Sequence, residues 1–231
     1  MNVAQKPTAQ LPTSCQTLLE TSIKALNLTL SHAQLEQLSL FILLIQKWNK
    51  IYNLTAINTV DEMIKLHIID SLAILPVVLG ERIIDIGTGA GLPGIPLAIA
   101  CPDKQFMLLD SNAKKTRFVQ QAIVELKLTN VSVLHQRVES YRPELLYDTA
   151  ITRAFASLQD IIKLTAHVIH PDGQLLAMKG QHAETEIAAL PSTMIAYTRC
   201  TPLSLPGVNA QRCVIQITAI TPAPLASTLE S

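Results

Sequence analysis

Apolar residues recur every three or four positions through the first 80 residues of the chain, which is the spacing of amphipathic helices. One helix is predicted before Ser31, and a second begins after it because its hydroxyl can cap a helix. A third begins at Thr59, with Glu62 placed as in a capping box. We therefore predict a loose tail over residues 1–12 and a helical N-terminal cap over residues 13–80.

The pattern changes after Arg82, where short apolar runs alternate with helical segments. This alternation predicts an α/β fold, a parallel sheet covered by helices, over residues 81–220 and a frayed tail over 221–231. Two late runs, 194–199 and 212–218, are expected to add an antiparallel hairpin at the sheet edge. The other predicted strands are 82–86, 105–110, 131–135, 149–152 and 174–178, and the predicted helices are 94–100, 112–126, 157–167 and 182–190.

Composition and charge narrow the class of protein. With 48% hydrophobic and 16% charged residues, the chain does not have the composition of a disordered protein. Lys+Arg and Asp+Glu both number 18, which disfavours a general nucleic-acid binder but leaves room for a local basic face. The four cysteines have neither disulfide-framework nor zinc-ligand spacing, so no metal is expected. The longest apolar run, 38–45, is far short of the about 20 residues of a membrane span. We expect a soluble cytoplasmic protein with no membrane partner.

Half of the eight glycines lie in one loop, Gly87 to Gly94, between a predicted strand and a predicted helix. Glycine permits a positive φ and lets a ligand approach the backbone closely. Asp110 ends the next strand, where a carboxylate can accept hydrogen bonds from both ribose hydroxyls of a nucleoside. Loop and acid together predict a nucleoside-cofactor site, with Gly87, Gly89 and Gly91 against the ligand.

The strand before this loop bears on which cofactor binds. The loop contains GxGxxG at Gly89, Gly91 and Gly94, which by itself is a weak signal for a dinucleotide. Asp85 lies two residues before Gly87, and its charge can bind the cationic amino acid moiety of S-adenosylmethionine. A pyrophosphate gains nothing from an acid there. S-adenosylmethionine is therefore preferred, an NAD-dependent oxidoreductase remains the rival enzyme, and Asp85 can instead cap the loop that follows it.

Longer motifs flank the glycine loop. The loop alone marks a superfamily, whereas these motifs together are far more specific. They are Lys47-Trp48-Asn49 with Tyr52-Asn53-Leu54-Thr55, His67-x-x-Asp70-Ser71, Leu109-Asp110-Ser111 followed by Lys114 and Lys115, Arg137-Val138-Glu139, Arg153-Ala154-Phe155-Ala156 and Lys179-Gly180. Over roughly residues 40–180, the chain resembles the bacterial 16S rRNA guanine-N7 methyltransferases, the RsmG or GidB family.

The resemblance implies a class I S-adenosylmethionine methyltransferase fold, Rossmann-like, with a mostly parallel seven-stranded sheet and the helical cap. It implies methyl transfer to N7 of one guanine in the 530 loop of 16S rRNA, position 527 in the usual rRNA numbering. The residues that it places at the cofactor are Gly87 and Leu92 in the loop, Asp110 at the ribose, Val138 and Glu139 at the adenine, and Arg153 at the mouth of the site.

The implied chemistry agrees with the residues. Guanine N7 carries a free lone pair, so no proton has to leave before it attacks the methyl group. No general base is then required, and in-line positioning with suitable charges supplies the acceleration. None of the cysteines is placed as the nucleophile that a cytosine-C5 enzyme needs. A site built for positioning is expected.

Three residues are candidates for that positioning, each with a structural alternative. Arg153 can anchor the cofactor carboxylate or a phosphate through its bidentate fork, or form a salt bridge. Lys179 can contact a phosphate, or be a solvated lysine. Phe155 can stack on the target base, or belong to the core. His67 and Asp70, on one helix face, are expected to dock the cap on the sheet rather than transfer protons.

The predicted helix 112–126 carries a run of positive charges, Lys114, Lys115 and Arg117. Such a run is usually only a solvated face, but beside a cofactor site it can seat an RNA backbone. The expected partner is 16S rRNA, within a small ribosomal subunit or its assembly intermediate, and a monomer is favoured. A non-catalytic RNA-binding assembly factor that retains a nucleoside pocket is the alternative outside the enzymes.

Overall fold

The N-terminal cap is helical, as its apolar spacing predicts. In the computed structural model, which describes residues 10–153, 156–181 and 183–220, the cap begins with α1 (Thr13–Ala25) and α2 (His32–Tyr52). The third helical segment is α3 (Val60–Met63), which continues through a π-helical stretch (Ile64–Ile69) into α4 (Asp70–Leu72). A short 3-10 turn, Leu75–Val77, leads out of the cap toward the sheet.

Both predicted helix caps are present, with one difference in detail. At α2, the Gln34 N–H donates to the Ser31 hydroxyl and the Ser31 N–H donates to the Gln34 side chain, which is a full capping box. At α3, the Glu62 N–H donates to the Thr59 hydroxyl, but the Glu62 carboxylate accepts from that hydroxyl rather than from the backbone. Thr59 therefore caps α3, and the reciprocal half of the predicted box is replaced by a side-chain bond.

The rest of the described chain forms one seven-stranded sheet of order β3-β2-β1-β4-β5-β7-β6. The first five strands are parallel, and β7 runs antiparallel to both β5 and β6. This confirms the predicted fold class. The strands are β1 (Arg82–Ile86), β2 (Gln105–Asp110), β3 (Val131–His135), β4 (Tyr147–Arg153), β5 (Ile169–Lys179), β6 (Thr198–Pro202) and β7 (Cys213–Thr218), and the helices are α5 (Gly94–Ala100), α6 (Ala113–Glu125), α7 (Leu158–Thr165), α8 (Ala183–Ala188) and α9 (Ser192–Ile195).

The late hairpin is present, but its first strand begins later than predicted. Residues predicted to start a strand at Met194 instead form α9, and the strand runs over Thr198–Pro202. The carbonyl of Pro191 accepts from the N–H groups of Met194 and Ile195 at 2.8 and 3.2 Å, so this stretch closes into a helical turn. The apolar residues 194 and 195 therefore belong to a turn before the strand.

Two hydrophobic cores lie on opposite faces of the sheet. One joins the cap to the sheet, since α1, α2, α5 and α6 contribute buried side chains to it. Phe41 of α2 stacks on Phe118 of α6, with their ring centroids 6.4 Å apart. Leu11, in the range predicted as a tail, is buried in this core, whereas residues 1–9 and 221–231 lie outside the described residues. The second core, under α7 and α8, covers the other face.

The strand order reverses between β1 and β4, because the chain moves outward through β2 and β3 on one side and through β5 on the other. In open α/β sheets, ligands bind at such a switch point, beyond the carboxyl ends of the strands. The glycine loop leaves β1 at this place. The fold therefore puts the ends of β1, β2 and β4 around one crevice.

Candidate active site

The glycine loop turns back on itself through left-handed backbone at three positions. Gly87, Gly89 and Gly91 have φ values of 72°, 60° and 79°, which are strained for any residue with a side chain. The N–H groups of Gly87 and Thr88 both donate to the carbonyl of Leu109 in the neighbouring strand, at 2.8 and 3.1 Å. The loop is thus fixed to the end of β2.

The loop glycines serve two different needs. A Cβ on Gly89 would meet no atom closer than 3.9 Å, so the space beside this residue is open to a ligand. A Cβ on Gly91 would lie 2.6 Å from Ile95, and one on Gly94 would lie 2.1 Å from Leu108. Gly91 and Gly94 are therefore required by packing, and the predicted ligand contact at Gly91 is not evident in this geometry.

Asp85 anchors the glycine loop and is not exposed to a ligand. Its side chain is completely buried, and its Oδ2 accepts from the Thr88 hydroxyl at 2.6 Å and from the Gly94 N–H at 2.9 Å. Burial raises the pKa of this carboxyl from 3.8 to about 6, against the effect of these two hydrogen bonds. The alternative, a carboxylate that caps its own loop, describes Oδ2, while Oδ1 has no hydrogen-bond partner among the described residues. Contact of Asp85 with the cationic end of a cofactor stays a prediction.

Asp110 connects the loop to the next helix from the end of β2. Its Oδ2 accepts from the Gly89 N–H and its Oδ1 from the Asn112 N–H, both at 2.8 Å. Asn112 in turn caps α6, because its side-chain oxygen accepts from the N–H groups of Lys114 and Lys115. Each carboxylate oxygen has a second lone pair, so Asp110 can still accept hydrogen bonds from a ligand.

A cavity of about 270 Å³ lies where these groups meet. It brings together four of the nine residues predicted for the cofactor, and its lining leaves out Asp85, Gly89, Gly91, Leu92 and Arg153. Leu92 is almost fully buried in the core on the cap side of the sheet. The lining residues are Ile86, Gly87, Leu109, Asp110, Ser111, Lys115, Gln136, Arg137, Val138 and Glu139.

Gln136 and Lys115 also line the cavity, although neither was predicted for the cofactor. Gln136 follows β3, and its backbone N–H donates to the Asp110 carbonyl at 3.2 Å, which brings it to the cavity. Lys115 was predicted to contact RNA, yet it is half-buried and lines the cavity. Its position in the first turn of α6, directly after the Asp110 strand, was the available signal. Lys114 and Arg117, predicted with it, are exposed on α6.

Arg153 connects the end of β4 to the cap. Its guanidinium lies 3.7 Å from Oδ2 of the buried Asp70, and the Arg212 guanidinium lies 3.5 Å from Oδ1. Burial raises the pKa of Asp70, and the two arginines oppose that rise. Arg153 therefore forms a salt bridge, as one of its two predicted roles requires. About a quarter of its side chain is still exposed.

His67 lies on the same cap segment as Asp70. Its Nε2 lies 2.9 Å from the Thr55 hydroxyl. Burial, together with the positive charge of Arg153, lowers the pKa of His67 to about 4. His67 is therefore neutral at physiological pH and fixed within the cap, while Asp70 makes the ion pair that docks the cap on β4.

Lys179, predicted as a phosphate contact, is held inside the protein. Its Nζ donates to the Glu186 carboxylate at 2.9 Å and to the Ala156 carbonyl at 2.8 Å, and its side chain is 8% exposed. The Glu186 carboxylate also accepts from the Leu158 N–H at 2.8 Å. This geometry favours a structural role for Lys179, holding α7 and α8 against the end of β5. Phe155, the remaining predicted RNA contact, lies outside the described residues.

A larger cavity, about 640 Å³, lies on the cap between α2 and α3. Its lining is polar, with Asn49, Asn53 and Thr55 of the Trp-Asn…Asn-Leu-Thr motif among its residues. Its lining contains none of the residues that end β1, β2 or β4, where this fold binds ligands. The smaller cavity at Asp110 is therefore the candidate active site.

Two kinds of feature are absent from residues 10–153, 156–181 and 183–220. Every helix in these ranges falls short of the length and apolar character that a membrane crossing needs. The same ranges contain no group of three or more His, Cys, Asp or Glu side chains arranged to hold a metal ion.

Comparison with known proteins gives a consistent result. The family model GidB, described as rRNA small subunit methyltransferase G, matches residues 34–215. The ribosomal RNA small subunit methyltransferase G of Nitrosococcus oceani is 50% identical over 202 residues, which are 87% of this chain and 94% of that protein. The protein of the same name from Hydrogenovibrio crunogenus is 52% identical over 177 residues, 77% of this chain and 82% of that one.

Solved structures show the same architecture at much lower identity. An S-adenosylmethionine-dependent methyltransferase from Aquifex aeolicus matches 69% of this chain and 93% of its own, with a TM-score of 0.52 and 14% identity. A predicted O-methyltransferase from Agrobacterium tumefaciens matches 64% of this chain and 79% of its own, with a TM-score of 0.53 and 21% identity. These likenesses show the class I methyltransferase fold.

Proposed function

This chain belongs to the GidB family of rRNA small subunit methyltransferases, which use S-adenosylmethionine, and we propose that it methylates N7 of one guanine in the 530 loop of 16S rRNA. The observation that carries the proposal is the cavity formed by the glycine loop and Asp110 at the switch point of the sheet. The enzyme acts in the cytoplasm, as a monomer, on a small ribosomal subunit or its assembly intermediate.

The cavity fits the nucleoside part of S-adenosylmethionine. Asp110 presents a carboxylate that accepts hydrogen bonds from ribose hydroxyls, as expected at the end of a second strand. Ile86, Leu109 and Val138 give apolar walls for an adenine ring. The open space beside Gly89 lets a ligand lie directly against the loop backbone. When bound, S-adenosylmethionine supplies the activated methyl group.

The choice of guanine N7 agrees with the side chains at the site. This nitrogen has a free lone pair, so the protein needs to orient the base and has no proton to remove. His67 is hydrogen-bonded to Thr55 and has a pKa of about 4, and it is not required as a base. Holding the base and the cofactor in a fixed, charged environment lowers the barrier to methyl transfer, and no proton transfer is needed.

The surface beside the cavity supports an RNA substrate. Lys114 and Arg117 are exposed on α6, whose first turn begins next to Asp110. Exposed cations of this kind bind phosphates of a nucleic-acid backbone and fix its register. Arg153 stands at the end of β4 with part of its guanidinium accessible, where it orients the target nucleotide. The stacking role of Phe155 stays a prediction.

Methyl transfer to ribosomal RNA tests the proposal. Small-subunit particles from a strain that lacks this gene, incubated with labelled S-adenosylmethionine and the purified protein, are expected to incorporate about one methyl group per 16S rRNA. Asp110→Asn is expected to lower incorporation at least about 10-fold, because an amide cannot accept from both Gly89 and Asn112 as the carboxylate does. The exposed Asp103→Asn is the matched control.

The same preparation separates the alternatives. Binding of the particles without methyl incorporation supports the non-catalytic assembly factor and contradicts the enzyme. A rise in melting temperature with NAD but not with S-adenosylmethionine supports the oxidoreductase.

A further inference from the structure

Lys115 stands apart from the other cations of α6 because it is directed to the cavity rather than to solvent. Lys114 and Arg117 are exposed, whereas Lys115 is half-buried and lines the cavity with Asp110. Its Nζ lies 4.0 Å from the place that a Cβ on Gly89 would occupy. The ammonium group is therefore over the open part of the glycine loop.

The charge of Lys115 has no partner in the described ranges. None of the carboxylates there lies within 4.0 Å of its ammonium, although Asp110 and Glu139 line the same cavity. The hydrogen-bonding capacity of Asp110 is partly used by Gly89 and Asn112. A half-buried cation in this position attracts an anionic group of a ligand, because the surrounding protein screens it less than water does.

The shape of the site determines which ligand group comes to this cation. With the ribose at Asp110 and the adenine at the apolar walls, the remaining part of the cofactor extends along the glycine loop. That part is an amino acid with a carboxylate. Asp85, predicted to bind its cationic end, is completely buried, and its Oδ2 already accepts from Thr88 and Gly94. Two cations line the cavity, Lys115 and Arg137. Arg137 follows β3 and is exposed, whereas Lys115 is half-buried and lies beside this stretch of loop.

We infer that the ammonium group of Lys115 binds the carboxylate of the methionine moiety of S-adenosylmethionine. This assignment rests on the cofactor site proposed above and gives it a second polar anchor, besides Asp110 at the ribose. Lys115 then distinguishes the intact cofactor from adenosine derivatives that lack the amino acid. It also leaves Lys114 and Arg117 as the cations of α6 that face RNA.

A comparison of two ligands tests this role. Isothermal titration of the whole protein with S-adenosylhomocysteine measures both anchors, and titration with 5′-methylthioadenosine, which has no carboxylate, measures the nucleoside site alone. Lys115→Gln is expected to weaken S-adenosylhomocysteine binding by about 10-fold or more, the size of a charge-assisted hydrogen bond, and to leave 5′-methylthioadenosine binding unchanged. Lys114→Gln, the matched control on the same helix, changes neither affinity. Lys115→Arg restores most of the loss, because it keeps the positive charge.

Other results overturn the inference. Equal weakening of both ligands by Lys115→Gln means that the lysine acts at the nucleoside end, and no weakening of either means that it is not a cofactor contact. The two ligands themselves control for folding, because a disrupted protein loses both. If the wild-type protein binds neither ligand, the proposed cofactor site fails and the Lys115 assignment fails with it. If the wild-type protein binds both and only the Lys115 comparison fails, the proposed function stands without this anchor.

Discussion

Gly89 and Gly91 of the glycine loop differ in the space that a side-chain methyl group would find. Gly89 adopts φ 60° with open space beside it, so a methyl group there would stand where the cofactor approaches. Gly91 adopts φ 79°, and a methyl group there would lie 2.6 Å from the side chain of Ile95. A side chain at Gly89 would therefore impair ligand binding, whereas one at Gly91 would impair packing and so stability.

Substitution by alanine separates these two needs. Gly89→Ala is expected to weaken S-adenosylhomocysteine binding about 10-fold, while the left-handed backbone costs only about 1 kcal/mol of stability. Gly91→Ala is expected to lower the free energy of unfolding by about 2–4 kcal/mol, since it adds a steric clash to the same backbone cost. Urea denaturation and calorimetry measure the two effects. A stability loss at Gly89 as large as at Gly91, with affinity retained, contradicts this division.

The residue types at the site were readable from the sequence, but their burial was not. Asp110 could be identified because it ends a strand after the glycine loop, and the structure places it in the cavity. Asp85 has an equally suggestive position, yet its carboxylate turns inward to Thr88 and to the N–H of Gly94. From the sequence, Lys115 is indistinguishable from the neighbouring surface cations. Its place at the cavity depends on the orientation of α6 in the fold.

At the scale of elements, the cap is attached to the sheet by a charged cluster as well as by apolar packing. Asp70 belongs to α4, Arg153 ends β4, and Arg212 directly precedes β7. The carboxylate is nearly buried, whereas both guanidinium groups are partly exposed. Since one acid holds two cations, one at the end of β4 and one just before β7, its charge fixes the position of the cap over the crevice.

Removal of this charge is expected to loosen the cap. Asp70→Asn should lower the free energy of unfolding by about 1–3 kcal/mol, a value reduced by the exposure of the arginines to water. Affinity for S-adenosylhomocysteine should be unchanged, because Asp70 does not line the cavity proposed for the cofactor. The rate of methyl transfer to RNA should fall by more than the loss of folded protein explains, because Arg153 is no longer held in position. The exposed Asp172→Asn is the control, and a large loss of cofactor affinity would oppose the assignment.

Local sequence patterns predicted the bounds of the short regular strands but not those of strands with an irregular register. The strands β1, β2 and β3 have the predicted bounds, because each is a short apolar run between turn residues. β5 begins at Ile169, five residues before the predicted start at 174, and includes Pro171 and Gly173. Its pairing with β4 shifts register between Tyr147 and Thr149. Such a register shift depends on the partner strand, which the local sequence does not specify.

At the scale of the whole molecule, cap and sheet form one hydrophobic unit. The boundary predicted at residue 80 is a change from helices to alternating strands and helices, whereas the first core continues across it. Net charge is zero, and the exposed cations of α6 give the molecule a local basic surface beside the cofactor cavity. A neutral protein with a local basic surface suits a structured RNA target better than nucleic acid in general.

The central claim is that this surface and cavity together methylate N7 of one guanine in the 530 loop. N7-methylguanosine becomes a site of strand scission after borohydride reduction and aniline treatment. Primer extension on treated 16S rRNA therefore shows both that N7 is the methylated atom and which nucleotide carries the methyl group. The account predicts one new stop, in the 530 loop, that depends on S-adenosylmethionine and on this protein. Methyl incorporation without scission, or scission at another guanine, would contradict it.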